Sequence, residues 1–300
     1  DMWNGLLGFT FEVFKRDRNG LLADRLTTLP GTFGSKMPQE NLNSDRTKGF
    51  ELEVRHNNKI GSLRYNIAAQ LSMTRGMRCY YETNPAGNSY DYWRNRRLYR
   101  YNDIWFGYGA AGRYTDYGQI ANSFYSDSGT LPGDYIYEDW NGDGVIDDMD
   151  KHPIATTTNP DSNWQDKNNY PLMNFGLTLS AQWKGFDVNM TFQGAAMSYV
   201  SYGEQLSAPL QFNGNALDMF LDRWRPVDPK QDPYDPSCQW ISGYYSYGGT
   251  TPDLNSEFSI QKGTYLRLKT AEIGYTLPKN CLSFIGIKNL RIYMNGYNLF

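Results

Sequence analysis

In the stretch "NFGLTLSAQWKGFDVNMTFQG", Asn174–Gly194, apolar side chains occupy every second position in two consecutive runs. The first run has its apolar residues at odd positions over Phe175–Trp183, and the second has them at even positions over Phe186–Phe192. The tight pair Lys184–Gly185 separates the two runs. Alternation with a period of two is typical of a β-strand with one apolar face. The stretch therefore predicts a β-hairpin whose two faces differ in polarity.

The same alternation recurs in two further hairpins. Residues 50–72 contain two apolar and polar runs around a short turn, and residues 265–277 and 290–300 form a third pair of runs. One more strand opens the chain at about Trp3–Arg16, which brings the expected total to seven strands. Short alternating strands separated by turns predict an all-β protein.

Long connections separate the hairpins. They run over about residues 17–48, 73–171 and 195–262, and each joins strand ends that lie opposite the short turns. A transmembrane β-barrel has short turns at one membrane surface and long loops at the other, and its strands need about 10 residues to cross. We therefore expect an antiparallel transmembrane β-barrel segment of about seven strands, part of a larger barrel. The alternative is a soluble array of immunoglobulin-like domains.

The two faces of each strand should meet different surroundings in such a barrel. The odd positions of residues 63–71 and 175–183 are apolar and should face lipid, whereas the even positions should face the lumen. In the third hairpin the apolar parity changes from even at Leu268 to odd at Ile273, so we expect a β-bulge near Lys269–Ala271. Four residues of this hairpin should form a polar network in the barrel interior: Arg267, Lys269, Arg291 and Tyr293.

The composition excludes several other classes of protein. The net charge is −3 over 300 residues, so general nucleic-acid binding is not expected. No stretch of about 18 apolar residues exists, which excludes a membrane-spanning helix. Cys79, Cys238 and Cys281 are too scattered for a disulfide framework. Free thiols are expected, with a bridge between Cys79 and Cys238 as the alternative. The chain begins at Asp1 without a methionine and ends in mid-pattern at Phe300, which indicates a fragment.

An acidic motif, "YEDWNGDGVIDDMD" at Tyr137–Asp150, lies in the second long connection. When Asp139 is counted as position 1, oxygen-bearing groups fall at the positions that an EF-hand calcium loop uses, and Gly144 occupies the turn at position 6. The predicted Ca2+ ligands are Asp139, Asn141, Asp143, the Val145 carbonyl, Asp147 and Asp150. Position 12 is Asp rather than the longer Glu, which predicts weak affinity. We expect a structural Ca2+ site, and the alternative is a solvated acidic turn.

The same connection carries a basic and aromatic segment at residues 92–114. Five arginines stand against one aspartate, with aromatic residues between them. Such a segment packs against other loops, contacts a partner or stacks on sugar rings; single-stranded nucleic acid is the least favoured ligand because nothing else in the chain is basic. The candidate substrate or partner contacts are Trp93, Arg97, Tyr101, Trp105 and Tyr108.

The third connection contains one helical pattern. Four apolar residues follow the possible N-cap Asn215 at helical spacing: Leu217, Phe220, Leu221 and Trp224. Pro226 ends the pattern, so we expect a short amphipathic helix here.

The sequence offers no catalytic constellation. His56 falls on a strand near a turn and His152 follows the acidic motif, and neither has a cysteine or serine motif beside it. The best clustered acids are already assigned as calcium ligands. We therefore expect no enzyme activity.

Taken together, the segments resemble the barrel of SusC/RagA-type TonB-dependent outer-membrane transporters. The matching segments appear in the order of that family: "KGFELEV" at 48–54, "PGDYIYEDWNGDGVIDDMD" at 132–150, "NFGLTLSAQWKGFDVNMTFQG" at 174–194, "TYLRLKTAEIGYTLP" at 264–278 and "LRIYMNGYNLF" at 290–300. The resemblance implies a plugged barrel in the outer membrane of a Gram-negative bacterium. It also implies import of oligosaccharides or peptides, energised through TonB, together with a surface lipoprotein of the SusD type.

The resemblance further implies what this chain leaves out. The plug, the TonB-contacting segment and the early strands would precede Asp1, and the closing strand would follow Phe300. Seven strands cannot enclose the lumen of a roughly 22-stranded transporter, so transport is expected of the parent protein and not of this chain alone. The alternative function is a secreted, calcium-stabilised β-rich protein that binds glycans without transporting them.

Overall fold

A computed structural model of the chain describes residues 1–26, 29–82, 87–95, 98–123, 129–157, 170–203, 206–253, 255–278, 286–287 and 289–300. The chain divides into two compact units. The first unit consists of Asp1–Asn102, Tyr170–Ser198 and Gly263–Phe300, and the second of Asp103–Asn169 and Tyr199–Lys262. The second unit is therefore built from the two longest connections of the sequence.

Among the described residues, sixteen strands and two short α-helices make up most of the regular structure. The strands are β1 (Leu7–Ala23), β2 (Glu40–Ile60), β3 (Leu63–Tyr80), β4 (Arg100–Tyr101), β5 (Ile104–Gly107), β6 (Ala110–Arg113), β7 (Tyr135–Tyr137), β8 (His152–Thr156), β9 (Met173–Trp183), β10 (Phe186–Ala196), β11 (Tyr199–Ser201), β12 (Arg225–Pro226), β13 (Trp240–Ile241), β14 (Ile260–Lys262), β15 (Tyr265–Thr276) and β16 (Arg291–Tyr297). The helices are α1 (Ser89–Asn95) and α2 (Tyr117–Ala121). Single 3-10 turns occur at Gly31–Phe33, Asp148–Asp150, Gln211–Asn213, Asp218–Leu221 and Glu257–Ser259.

The first unit is one antiparallel sheet. Its strand order is β1, β2, β3, β9, β10, β15 and β16, and the two-residue β4 pairs with β3. The seven predicted long strands and their antiparallel order are thereby confirmed. β9 and β10 are 11 residues long, which is about the length that a tilted strand needs to cross a bilayer.

The register of the sheet places the apolar side chains in rows on one face. Leu71 of β3 pairs with Leu52 of β2 on one side and with Phe175 of β9 on the other, and Leu52 pairs in turn with Phe11 of β1. Because successive side chains of a strand point to opposite faces, the intervening polar residues share the other face. The predicted parity of residues 63–71 and 175–183 is confirmed as a single apolar face.

The predicted bulge in β15 is also confirmed. Thr191 pairs with Thr270 and the next residue, Phe192, pairs with Leu268, so Lys269 has no counterpart in β10. The extra residue keeps Leu268 on the apolar face together with Ile273, although the two have opposite parity.

The predicted ends of the opening strand and of the first connection are wrong. β1 runs over Leu7–Ala23 rather than about Trp3–Arg16, and β2 begins at Glu40, within the expected connection 17–48. Charged pairs hold this extension together: Arg46 Nε lies 2.5 Å from Asp17 Oδ1, and Arg18 pairs with Asp45. Charge complementarity between two strands replaces the apolar alternation here, so alternation alone did not predict it. β3 likewise continues to Tyr80.

In the described part of the second unit, the strands form four small antiparallel pairs. The pairs are β5 with β8, β6 with β7, β11 with β14, and β12 with β13. Aromatic side chains fill its interior: Trp105, Tyr114, Tyr135, Phe220, Trp224 and Tyr245 are buried. The ring centres of Phe220 and Tyr245 lie 4.6 Å apart, and those of Tyr135 and Phe258 lie 4.9 Å apart. This aromatic core joins segments from both long connections.

The prediction of a short amphipathic helix after Asn215 is wrong. Only Asp218–Leu221 is helical, as a 3-10 turn, and its N-cap position is Leu217, without a capping side-chain hydrogen bond. Phe220 is buried, whereas Leu221 is 75 % exposed. The apolar residues therefore do not share one buried face, and packing of individual rings decides the backbone here instead of helical periodicity.

Two of the cysteines, Cys79 and Cys238, are free, as expected, and the alternative bridge between them is not formed. Cys281 lies outside the described residues. Burial raises the pKa of the Cys238 thiol. Within the described ranges, no helix has the length and hydropathy needed to cross a membrane.

Candidate functional site

The polar face of the sheet contains an open hollow of about 390 Å³. Gln70 of β3 and Gln193 of β10 line it, and Gly176 of β9, which has no side chain, lies between these two residues in the sheet. A Cβ atom at this position would lie 3.0 Å from Gln70 Nε2. Two amide side chains therefore border the depression.

Acidic side chains of β1 and β2 line this hollow, and an arginine of β15 bonds to Gln193, which lines it from β10. Glu12 of β1 pairs directly with Glu51 of β2, and Glu53 also lines the hollow. Arg267 of β15 pairs with Gln193, and Arg267 Nη2 donates to Gln193 Oε1 at 2.9 Å. Sequence reasoning missed this acidic group, although the alternation of "KGFELEV" places Glu51 and Glu53 on the polar face.

An ion network on the same polar face joins the last three strands. The Arg291 guanidinium bonds to both carboxylate oxygens of Asp187, and Arg291 Nη2 lies 2.5 Å from Glu272 Oε1. The Arg291 guanidinium carbon also lies 5.0 Å from the ring centre of Tyr293. Arg267 and Arg291 therefore take part in polar interactions as predicted, and Lys269 is the bulge residue.

The acidic motif winds around the side chain of Asp139. Asp139 Oδ1 accepts hydrogen bonds from the backbone N–H groups of Gly142 at 2.7 Å and Asp143 at 3.2 Å, and Oδ2 accepts from Gly144 at 2.8 Å. Asn141 and Asp143 each accept from the backbone two residues further on. These bonds make the compact turn that the glycines at positions 4 and 6 of the motif allow.

Asp150 closes the loop from the other end. It is 0 % exposed, and its carboxylate accepts from Trp140 N at 2.9 Å, Asn141 N at 3.3 Å and Asp147 N at 2.8 Å. The Asp147 carboxylate accepts from Met149 N at 2.7 Å and completes a capping box. The first and last predicted ligands therefore fix the two ends of one loop.

A ring stack that sequence reasoning missed holds this loop to β8. The rings of Trp140 and His152 have centres 3.9 Å apart and planes inclined by 14°. His152 is buried, its Nδ1 lies 3.0 Å from the Asp150 carbonyl oxygen, and its Nε2 lies 3.7 Å from Glu138 Oε2. The only sign of this contact in the sequence is that His152 follows Asp150, the last acid of the motif, by two positions.

The loop offers the chemistry of a calcium site with limited acceptor capacity. Carboxylate, amide and carbonyl oxygens are the hard ligands that Ca2+ takes. A carboxylate has about four lone-pair sites, so Asp139 and Asp150, with three accepted N–H bonds each, retain capacity for a cation. Among the described residues, no three acidic, histidine or cysteine side chains converge as a ready ligand set. The loop therefore has the oxygen ligands that calcium prefers, and its carboxylates accept hydrogen bonds from backbone N–H groups.

Two of the predicted contact residues lie in the first unit. Trp93 is 42 % exposed, with the Arg100 guanidinium carbon 5.0 Å from its ring centre. Tyr101 is 36 % exposed and lies under the Arg75 guanidinium, at 3.8 Å. Arg97 lies outside the described residues.

The other two predicted contact residues lie in the second unit. Trp105 is 2 % exposed and belongs to the aromatic core, so its ring packs against protein. Tyr108 packs against Tyr137 at 5.4 Å, and Lys151 Nζ lies 5.0 Å from its ring centre. Burial raises the pKa of Tyr108. Burial opposes the charge of Lys151, but the bond to Asp148 and the nearby Tyr108 together raise its pKa.

Comparison with curated proteins identifies two TonB-dependent receptors of Formosa agariphila (strain DSM 15362 / KCTC 12365 / LMG 23005 / KMM 3901 / M-2Alg 35-1) as relatives. The chain is 30 % identical to TonB-dependent receptor P26 over 166 residues, which are 54 % of the chain and 14 % of the receptor. It is 25 % identical to TonB-dependent receptor P3 over 170 residues, which are 56 % of the chain and 14 % of the receptor. The matched segment thus spans 14 % of the length of each relative. No protein-family profile matches the chain.

Solved structures share the fold of the whole chain. A chain of the RagAB peptide importer in its 'open-open' state superposes with a TM-score of 0.62 and 16 % identity, over 99 % of this chain and 29 % of the other. A second structure of the RagAB peptide transporter gives a TM-score of 0.61 and 17 % identity, over 99 % of this chain and 30 % of the other.

The sheet with one apolar and one polar face is that of an antiparallel transmembrane β-barrel, of which this chain is a segment. Its similarity to the TonB-dependent receptors in sequence and to the RagAB importer in fold confirms the resemblance to SusC/RagA-type TonB-dependent transporters.

Proposed function

We propose that this chain forms part of a TonB-dependent nutrient importer in the outer membrane of a Gram-negative bacterium. One observation carries the proposal: the long strands sort their side chains into an apolar face and a charged face over a length that fits a bilayer. Neither a soluble sandwich nor a secreted binding module requires an exposed apolar face of this extent.

The imported nutrient is an oligosaccharide or a peptide, taken up with energy from TonB. The name of the RagAB importer supports a peptide, and the amide and acidic groups around the hollow on the polar face of the sheet offer hydrogen bonds that suit either class. We propose no catalytic part for the chain, and the carboxylates of the acidic loop serve as acceptors for backbone N–H groups.

Spin labels on the full-length protein in bilayers test the membrane placement. Tyr65 and Asn66 are neighbours on β3 and point to opposite faces. A label at Tyr65 should be accessible to a lipid-soluble relaxant and a label at Asn66 should not. Equal accessibility, or an intact protein that is monodisperse without detergent, would contradict the barrel and favour the secreted glycan-binding alternative.

The partner in this proposal is a surface lipoprotein of the SusD type, contacted by exposed aromatic residues of the first unit. Tyr92 and Trp93 are 53 % and 42 % exposed, and such aromatic residues are enriched at protein interfaces. The pair Y92S/W93S should weaken co-purification of the lipoprotein about tenfold or more. Y170S, at a residue that is 69 % exposed, is the matched control. Equal loss in both variants would contradict a specific contact.

The acidic loop in this proposal binds Ca2+ for a structural purpose, through Asp139, Asn141, Asp143, the Val145 carbonyl, Asp147 and Asp150. The EF-hand spacing and the remaining acceptor capacity of Asp139 and Asp150 support it. Chelation should increase hydrogen exchange over residues 139–150 while the long strands keep their protection. Unchanged exchange, with no calcium found by elemental analysis, would reduce the motif to a solvated acidic turn.

A further inference from the structure

Two further hollows lie at the ends of the strands that the short turns join, and Lys59 and Arg64 line both of them. The first turn-end hollow also contains residues of the turn between β9 and β10, and the second contains Trp3–Leu6. Lys59 of β2 pairs directly with Arg64 of β3. Like charges that face each other on neighbouring strands destabilise a sheet. Two exposed positive charges therefore stand together where the hollows meet, at a cost to the fold.

The two cations lie on the polar face of the sheet. Lys59 is an even number of positions from Glu53 in β2, and Arg64 is an even number of positions from Gln70 in β3. Alternate residues of a strand point to the same face, so both cations share the face of these polar residues. A lipid whose headgroup met them would have to leave its tails on this polar face, which disfavours a lipid as the ligand.

The turn between β9 and β10 adds a third cation to the first turn-end hollow. Lys184 lines this hollow and has a φ of 47°, in the left-handed region. Two-residue hairpin turns favour Asn or Gly at such a position, so a lysine strains the backbone there. Lys184 Nζ lies 5.3 Å from the Trp183 ring centre. A strained lysine and a like-charged pair thus meet in one hollow.

The described part of the protein leaves these charges without neutralising partners. Among the described residues, no carboxylate forms an ion pair with Lys59, Arg64 or Lys184. Asp187 also lines the first turn-end hollow, but both of its carboxylate oxygens bond to Arg291. The three positive charges therefore remain available to an anionic ligand.

The size of the two hollows indicates a polypeptide rather than a small anion. The first has a volume of about 490 Å³ and the second of about 470 Å³. Phe186 lines the first and Trp3 the second, and these side chains are 50 % and 71 % exposed. A segment that spans both hollows would place acidic side chains on Lys59 and Arg64 and apolar ones against the two aromatic rings.

We propose that the two turn-end hollows dock an acidic segment of a second protein, with its carboxylates on Lys59, Arg64 and Lys184. The inference goes beyond the proposed function and takes from it only the compartment, because the short turns of an outer-membrane barrel face the periplasm. Charge complementarity carries the choice of partner: cations without carboxylate partners beside exposed aromatic rings match the acidic and apolar side chains of a peptide.

Fluorescence anisotropy on the full-length protein in nanodiscs tests the docking surface. The probe is a labelled peptide of about ten residues, rich in glutamate around a central phenylalanine, and its counterpart has glutamine in place of every glutamate. The unchanged protein should bind the glutamate peptide at least about tenfold more tightly than the glutamine peptide. K59Q/R64Q should weaken binding of the glutamate peptide about five- to twentyfold.

The matched control is K15Q/K48Q. Lys15 and Lys48 also face each other directly, at the other ends of their strands, so the control removes the same number of cations from outside the hollows. It should bind the glutamate peptide as the unchanged protein does. Equal affinity for the two peptides, or equal losses in the two double variants, would overturn the docking surface.

Two other occupants give different results. Displacement of the glutamate peptide by inorganic phosphate, at an ionic strength where chloride leaves it bound, would overturn the proposal in favour of a small-anion site. Absence of glutamate-peptide binding to the unchanged protein would also overturn it. A carbodiimide cross-link from Lys59 to an acidic residue of the same protein would then assign the cations to an internal contact.

K59Q alone changes one exposed residue and serves if the double variant does not fold. It should weaken binding of the glutamate peptide about two- to fivefold. The spin-label contrast between Tyr65 and Asn66 is measured separately, without peptide. If the contrast persists while the glutamate peptide fails to bind, only the docking surface is wrong. If the contrast disappears while the peptide still binds, the docking surface stands and the membrane placement is wrong.

Discussion

The indole ring of Trp140 stacks on the imidazole ring of His152, with ring centres 3.9 Å apart and planes inclined by 14°. This contact links the acidic loop to β8, because Trp140 lies next to Asp139 and His152 is the first residue of β8. The loop is therefore anchored by a ring stack as well as by its carboxylates.

Replacing Trp140 by alanine should loosen the acidic loop. An aromatic pair of this kind contributes about 0.5–1.5 kcal/mol, so W140A should speed hydrogen exchange over residues 139–150 about two- to tenfold. W140F keeps an aromatic ring over His152 and should stay close to the unchanged protein. Equal exchange in W140A and the unchanged protein would mean that the hydrogen bonds of Asp139 and Asp150 hold the loop without the stack.

The close approach of two backbone segments in the second unit makes Gly107 irreplaceable there. A Cβ atom at Gly107 would overlap the Asn255 carbonyl oxygen, and Tyr108 N donates to that oxygen at 2.8 Å. G107A should therefore destabilise the second unit by about 1–3 kcal/mol, because backbone atoms cannot move aside cheaply. G248A is the control, since a Cβ atom at Gly248 meets nothing within 4 Å. Limited proteolysis under partly denaturing conditions compares the two, and similar cleavage would contradict the prediction.

The N-cap of α2 should make local stability depend on pH. The Asp116 carboxylate accepts from Gln119 N at 2.9 Å and from the Thr115 hydroxyl, and these bonds hold the pKa of Asp116 below its usual value. A carboxyl with a depressed pKa stabilises the fold above its unfolded pKa of about 4, and this contribution is lost as pH falls through the lower folded pKa.

Hydrogen exchange over residues 116–122, corrected for the intrinsic rate, measures the effect at about pH 6 and about pH 3. Protection in the unchanged protein should fall toward the lower pH. D116N still caps the helix but carries no charge, so its protection should vary less with pH. A parallel fall in both proteins would assign the pH dependence to other groups.

The ion network of Arg291 should couple β10, β15 and β16. The side chains of Asp187 and Glu272 are 14 % and 31 % exposed, so solvent screens the network in part. R291M should lower the free energy of unfolding, because it leaves two neighbouring carboxylates uncompensated. A double-mutant cycle that combines R291M with D187N should show that the effects of the two substitutions on the free energy of unfolding are not additive. K184M, at the turn between β9 and β10, is the control, and additive effects of R291M and D187N would contradict the network.

Local patterns in the sequence predicted the seven long strands, their apolar face and the bulge at Lys269. Each of these follows from a local rule: alternate side chains of one strand go to opposite faces, and one extra residue inverts the parity. In a strand with one buried face, a slip of one residue exposes every apolar side chain, so the pattern from Phe175 to Phe192 admits one arrangement. The EF-hand spacing likewise located the loop that the structure closes between Asp139 and Asp150.

Other features depend on contacts between residues far apart in the chain, and these features became visible only in the folded structure. The extension of β1 beyond Arg16 depends on ion pairs with β2, and the 3-10 turn at Asp218–Leu221 depends on the contact of Phe220 with Tyr245. Lys15, Lys48 and Arg75 lie side by side only because β1, β2 and β3 pair in one register. Pairing between distant segments has no local signature, since its energy comes from contacts that form only when the chain is folded.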